Sequence, residues 1–426
     1  MRRIFLILST CLLAGAPAAL PAQLVPSLPP VIDRLPDTLG RTVSGTLDRV
    51  EAPVRATQRL LDDRVARLRG VVSANRRVLE LDADGDPAVR GELMMLDASA
   101  DTLGKALAAG FAVIGEERID GLDIGYTRLA IPKGMTLARA EKRLREIAGP
   151  AEISADQLHF QSGARAAPLR ALAMAAQAVE ARTGTSIGMI DGGVARHPAL
   201  GGPIEQRGFA GAPAPSNHGT AVASLMVGQG TMRGPAPGTR LFVADVYGGN
   251  PAGGSAAAIA RALGWLVGQR VPVVTISLVG PRNPLLDRVV RAAQARGTMI
   301  VAAVGNDGPA APPAYPASYD GVIAVTGVDA RNRALIEAGR ALHLDFAAPG
   351  ADMRAADGRG GLTAVRGTSF AAPLVAASLL VYYPSPDPAQ RDAAYRELTQ
   401  DAVDLGAKGP DKQFGQGLVC GDCRAR

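Results

Sequence analysis

Between Gln23 and about Arg90 the chain is polar and charged, and apolar residues take helix-like spacing from Val54 to Leu68, where Leu60, Leu61, Val65 and Leu68 recur. Residues 23–90 therefore read as a polar, proline-punctuated helical arm or linker. From Gly91 the pattern tightens. Glu92–Leu96 is a short apolar run and Ala100–Ala109 has helical spacing. Phe111–Ile119 and Leu122–Ile131 alternate around the turn Asp120-Gly121, Thr136–Ile147 is a charged amphipathic helix, and Ala151–Phe160 closes the unit.

Strand, helix, strand, strand, helix, strand is the split βαβ order, which predicts a small α+β, ferredoxin-like domain over residues 91–162. Beyond about Gly163 the pattern changes again. Apolar runs at Ser186–Ile190, Leu241–Val246, Val271–Leu278 and Thr298–Val304 alternate with helical stretches at Ala256–Gln269 and Leu286–Ala295. Continuous apolar strands between helices imply a mostly parallel sheet covered on both faces, a three-layer α/β/α domain over residues 163–426.

With 426 residues, 47% of them hydrophobic, the chain holds more than one average domain and has ample material for a core. Only 4% are aromatic, and the net charge of +6 is dispersed without a basic run, so nucleic acid is not an expected partner. Arg2-Arg3 before the apolar run Ile4–Leu13, with Ala16-Pro17-Ala18 or Ala22 as cleavage positions, reads as a signal peptide over residues 1–22. The run is shorter than the roughly 18 residues of a membrane span, so the expected location is secreted or periplasmic. With the leader removed, Cys420 and Cys423 remain and suit a small disulfide in an oxidising compartment. The other histidines, His159, His197 and His343, are too scattered for a metal site and read as surface or loop residues. Asp82–Pro87 has an acidic rhythm, but Pro87 replaces the glycine of a calcium loop and a solvated turn is expected.

Candidate chemistry lies in four ordered motifs. Ile187-Gly188-Met189-Ile190-Asp191-Gly192-Gly193 comes first, then Asn217-His218-Gly219-Thr220, then Val301-Ala302-Ala303-Val304-Gly305-Asn306, then Gly367-Thr368-Ser369-Phe370-Ala371-Ala372-Pro373. A serine hydroxyl is a poor nucleophile at neutral pH, so a base must take its proton; His218 is the candidate base for Ser369. A buried carboxylate, Asp191, fixes the imidazole tautomer and stabilises the imidazolium. The oxyanion of a tetrahedral intermediate needs donors, which the Asn306 amide and the Ser369 N–H can supply. Each motif also has a bland use as a cap or turn, but the ordered set does not.

These motifs resemble the subtilisin-like serine peptidase family, in which the triad order is Asp, His, Ser. The resemblance runs from about Thr185 to Val419 and includes Tyr315-Pro316-Ala317, Asp345–Gly350, Ala402–Gly406 and Phe414–Val419. It implies that Gly253, Gly254 and Ser255 on one side, and Ser277, Leu278, Val279 and Gly280 on the other, pair with an extended protein or peptide substrate. It further implies that residues 91–162 form a propeptide that assists folding and inhibits the enzyme within the same molecule. Cleavage is then expected between about His159 and Arg170, in Gln161-Ser162-Gly163-Ala164-Arg165-Ala166-Ala167. No cofactor is implied; structural calcium is a habit of the family, but no ligands can be assigned to it here. Gly192 stands where a hydroxyl residue is usual, Ala221 where a second histidine is frequent, and Val279 where a small residue is common. The alternative is a catalytically silent binding protein of the same fold. An α/β-hydrolase esterase would carry its triad in another order.

Overall fold

The computed structural model describes residues 37–148, 152–162, 164–168, 184–230 and 232–425. The leader expected at residues 1–22 lies outside them. The chain divides into Met1–Arg55 and Ala56–Arg426; the first supplies the opening turns of helix α1 (Asp37–Ala74), and the rest belongs to the second. The apolar spacing at Leu60–Leu68 marks only the later part of α1, where Leu68 is buried.

A hairpin follows, β1 (Leu79–Leu81) with β2 (Pro87–Val89). Its turn is not solvated at its first residue as expected. Asp82 is buried, its Oδ1 accepts from the N–H groups of Asp84 and Asp86 at 3.0 and 2.8 Å, and its Oδ2 accepts from Gln157 Nε2 at 2.8 Å. An aspartate that bonds its own turn and a distant amide can be buried, because its lone pairs have donors.

The next unit comprises β3 (Glu92–Leu96), α2 (Ala100–Ala108), β4 (Ala112–Ile119), β5 (Ile124–Ala130), α3 (Leu137–Ala148) and β6 (Glu152–Ser154). The sheet order is β4-β5-β3-β6, antiparallel throughout. Strand β3 explains its continuous apolar run: Leu93 and Met95 join the cluster under α2 and α3, while Met94 and Leu96 point to the other face. That second face, with Ile119, Leu122 and Tyr126, packs on helices α5 (Ala256–Gly268) and α6 (Pro284–Ala295). Burying each such side chain contributes about 1.5–3 kcal/mol. Gly121 and Gly264 let the two backbones meet: a Cβ on Gly121 would lie 2.9 Å from Gly264 O, and one on Gly264 would lie 2.5 Å from Asp120 O.

Short strands β7 (Phe160–Gln161) and β8 (Ala164–Pro168) lead towards the large sheet. Its elements are β9 (Ser186–Asp191), β10 (Ile204–Gly208), α4 (Asn217–Val227), β11 (Arg240–Asp245), α5, β12 (Val273–Ile276), β13 (Leu278–Val279), α6, β14 (Met299–Ala303), β15 (Ile323–Val328) and β16 (Phe346–Pro349). The hairpin β17 (Met353–Ala356) and β18 (Leu362–Arg366), then α7 (Thr368–Leu379) and α8 (Arg391–Asp401), complete the chain. Seven strands pair in the order β10-β11-β9-β12-β14-β15-β16, all parallel. Helices α4 and α7 cover one face and α5 and α6 the other, which gives the three layers. Cys420 and Cys423 form a disulfide.

Candidate active site

Asp191 is the last residue of β9, inside the sheet, and is fully buried. Its register partner Asp245 ends β11 beside it, so the carboxyl ends of neighbouring strands open one crevice. His218 sits in the first turn of α4, started by Ser216, whose Oγ accepts from Gly219 N–H at 2.9 Å. This cap turns the imidazole over the crevice: Nδ1 lies 3.0 and 2.9 Å from the two Asp191 oxygens, and Nε2 lies 3.0 Å from Ser369 Oγ. With Nδ1–H donating to the carboxylate, Nε2 accepts from the serine hydroxyl. The Phe370 ring backs the imidazole at 5.1 Å between centroids.

Gly367, with φ of 141°, makes the turn from β18 into α7 and brings Ser369 to the first helical turn. Pro373 lies inside α7 and has no N–H for the Ser369 carbonyl, four residues back. Ser277 Oγ–H fills that place, donating to Ser369 O at 2.9 Å. Nucleophile and Ser277 turn are thereby tied together.

Asn306 follows β14. Its Oδ1 accepts from Thr368 N–H at 3.0 Å, and Thr368 Oγ1 bonds both the N–H and the carbonyl of Gly305 at 3.1 Å. This fixes the amide so that Nδ2 points elsewhere, and Nδ2 is buried without a partner. An unpaired buried donor costs about 1–3 kcal/mol, so it marks a group held ready for an acceptor that arrives later.

The cleft beside these residues is filled by the chain itself. Phe160 pairs with Val279 and Gln161 with Leu278, antiparallel, and Ser162 N–H donates to Ser277 O at 3.3 Å. On the other side His159 N–H donates to Gly254 O at 2.7 Å and Leu158 bridges Ser255. Residues 158–162 are thus a middle strand between the two segments singled out in the sequence. Gly254 and Gly280 are glycines for want of room, since a Cβ would lie 2.3 Å from His159 O and 2.5 Å from the His159 ring, respectively. Gly253 has another use: its N–H donates to Asn250 O and closes the turn. Beyond Gly163 the backbone pairs again, Ala164 with Arg366 and Arg165 with Val365 of β18.

His159 is not a surface residue. It is fully buried and neither ring nitrogen has a hydrogen-bond partner, so burial holds its imidazole down to about 4; nearby carbonyls of Gln157 and Pro281 pull weakly the other way. His197 and His343 bond Gly361 O and Val322 O at 2.9 and 2.7 Å. Sequence reasoning also missed Tyr247, whose OH donates to His159 O at 2.9 Å, and Gln161, whose Nε2 donates to Asp191 Oδ1 at 2.9 Å. It missed the reach of α1 to the site as well: Arg64 and Arg67 pair with Asp307, next to Asn306, at 3.3 and 2.7 Å. No local motif announces such long-range partners, although Thr368 lies within the serine motif. A Gly-x-Ser-x-Gly spacing does occur at Gly184-Thr185-Ser186-Ile187-Gly188, but Ser186 opens β9 at the end of the sheet opposite the crevice.

Among the described residues, Cys420, Asp422 and Cys423 are the group of potential ligands close enough for a metal, and their thiols are joined as a disulfide. No described helix is long and apolar enough to cross a membrane.

Comparison with known proteins bears on the same region. The model of the subtilase family matches residues 182–417. The minor extracellular protease Epr of Bacillus subtilis is 30% identical over 209 residues, which is 48% of this chain and 32% of that protein. Subtilisin Savinase of Lederbergia lenta is 30% identical over 252 residues, 57% of this chain and 91% of its own. The chain thus spans about a third of the first relative's length and nine-tenths of the second's. Fervidolysin from Fervidobacterium pennivorans, described as a keratinolytic enzyme related to subtilisin, superposes with a TM-score of 0.65 at 20% identity, over 81% of this chain and 62% of that one.

Proposed function

This chain belongs to the subtilase family, and from that premise we propose that it is an exported serine endopeptidase, made as a precursor that cuts itself. The observation that carries the proposal is the pairing of residues 158–162 with the cleft segments and of residues 164–168 with β18, the strand that leads into the Ser369 turn. The bond between the two anchored pieces that best fits cleavage is Ser162–Gly163. Residues 91–162 are then the propeptide, held on α5 and α6, residues 23–90 its helical arm, and residues 163–426 the peptidase.

Each residue has a step in the reaction. Ser369 Oγ attacks the Ser162 carbonyl carbon while His218 Nε2 takes the hydroxyl proton, and Asp191 stabilises the imidazolium. The oxyanion accepts from Asn306 Nδ2 and Ser369 N–H. The intermediate collapses as His218 returns the proton to the leaving nitrogen of Gly163. Water then attacks the acyl-enzyme by the same relay, freeing Ser369 and a Ser162 carboxylate. The released strand stays paired in the cleft and inhibits.

Docking of that segment carries two opposed titrations. His159 is held at about 4 against an ordinary 6.5, so docking is at full strength above 6.5 and weakens as pH falls towards 4. Burial pushes Asp156 up from 3.8 to about 6, outweighing the Ala257 N–H that donates to it at 2.8 Å, so this group strengthens docking as pH falls from 6 towards 3.8. Going from about pH 7.5 to about pH 5, the first effect weakens docking about thirtyfold and the second tightens it about tenfold. Wild-type inhibition should therefore change only severalfold. Dilution series of the cut complex should show Asp156→Asn losing about thirtyfold and His159→Phe gaining about tenfold over that range. Variants that track the wild type would rule out this pair of groups.

Labelling with a fluorophosphonate tests the proposed activity. The peptidase freed of its propeptide should carry the label on Ser369, and a His218→Ala variant should resist it. Absence of label from the freed wild-type peptidase would favour a silent binding protein of the same fold.

A further inference from the structure

Asp191 is fully buried, and a buried carboxylate needs donors for its lone pairs. His218 Nδ1–H faces both oxygens, and Gly192 N–H donates to Oδ1 at 2.6 Å. Among the described residues the other side-chain donor is Gln161, with Nε2 2.9 Å from Oδ1. Gln161 is the second residue before the Ser162–Gly163 bond, so this amide occupies a substrate position and leaves with the substrate.

The peptidase part has a glycine where a hydroxyl residue is usual in the family. A Cβ on Gly192 would lie 2.5 Å from Ser216 Oγ, which is held in place capping α4 below His218, and 3.2 Å from Gln161 Nε2. A side chain at position 192 would have to push the cap aside, and in this chain the Gln161 amide fills the space beside it.

We propose that the substrate completes the triad. A side-chain amide at the second position before the scissile bond, Gln161 in the precursor, donates to Asp191 and holds the carboxylate towards His218, so the peptidase selects glutamine there. This rests on the reading of residues 158–162 as a strand in the substrate sites. Gln161 is a positioning residue, since it touches Asp191 and no reacting atom. The carboxylate it holds in place meets an imidazolium only as the reaction proceeds, so its effect falls on turnover.

The test uses the cut enzyme freed of its propeptide and quenched fluorescent peptides His-Phe-X-Ser-Gly-Ala, with X as Gln, Met or Glu. Replacing Gln by the similarly shaped Met should lower kcat about tenfold, the usual weight of a hydrogen bond to a charged group, with KM within about twofold. Glu should be worse, because its carboxylate would face Asp191. Equal kcat for Gln and Met would overturn the proposal while leaving the cleavage site standing. Failure to cut Ser-Gly with any X would overturn both.

Discussion

Ser369→Ala and His218→Ala should each lower peptide turnover by about a million-fold, the loss measured for the same two residues of subtilisin itself and carried over from it. The two substitutions should cost the same because nucleophile and base act as one unit. Without His218 the Ser369 proton has no acceptor, since Nε2, 3.0 Å away, is the partner of Oγ. Without Ser369 the imidazole has nothing to deprotonate. Neither change opens the core: Ser369→Ala removes one hydroxyl, and the start of α7 keeps the bond from Thr368 N–H to Asn306 Oδ1 and the Ser277 Oγ bond to Ser369 O. Thermal unfolding of the variants should remain close to wild type. Retention by purified Ser369→Ala of more than about a hundredth of wild-type turnover would remove the nucleophile assignment.

Asn306→Ala should reduce kcat by about a hundred- to a thousandfold, again by analogy with subtilisin, with KM nearly unchanged. The oxyanion exists only on the way through the reaction, so a donor aimed at it adds little to ground-state binding. Alanine also removes the acceptor for Thr368 N–H, which could displace the loop. Asn306→Asp separates the two effects, because it keeps an acceptor for Thr368 and replaces the Nδ2 donor by an oxygen. It should be at least as slow as the alanine variant. A fast Asn306→Asp enzyme, or a change confined to KM, would make Asn306 a loop or binding residue.

The layered fold was legible because its strands are continuous apolar runs between helical stretches, the signature of a parallel sheet covered on both faces. Asp191, His218, Asn306 and Ser369 were legible because each sits in a strand–turn or turn–helix context within a few residues. What escaped depends on partners far along the chain. His159 looks like a loop histidine until Gly254 and Gly280 are seen to leave room for it, and Asp82 looks solvated until Gln157 reaches it. The pairing of Gln161 with Leu278 carries no mark in either segment, because backbone pairing is blind to side chains. The early part of α1 carries a signal that the reading passed over, since Leu39, Val43, Leu47, Val50 and Val54 recur there at helical spacing.

The most direct test of the account is the intact mass of the wild-type protein and of Ser369→Ala, each made in a host lacking other exported proteases. The account predicts a wild-type chain separated into one fragment ending at Ser162 and one beginning at Gly163, and a Ser369→Ala chain that stays joined across that bond. A Ser369→Ala chain cut at the same place, or a wild type cut elsewhere, would contradict it.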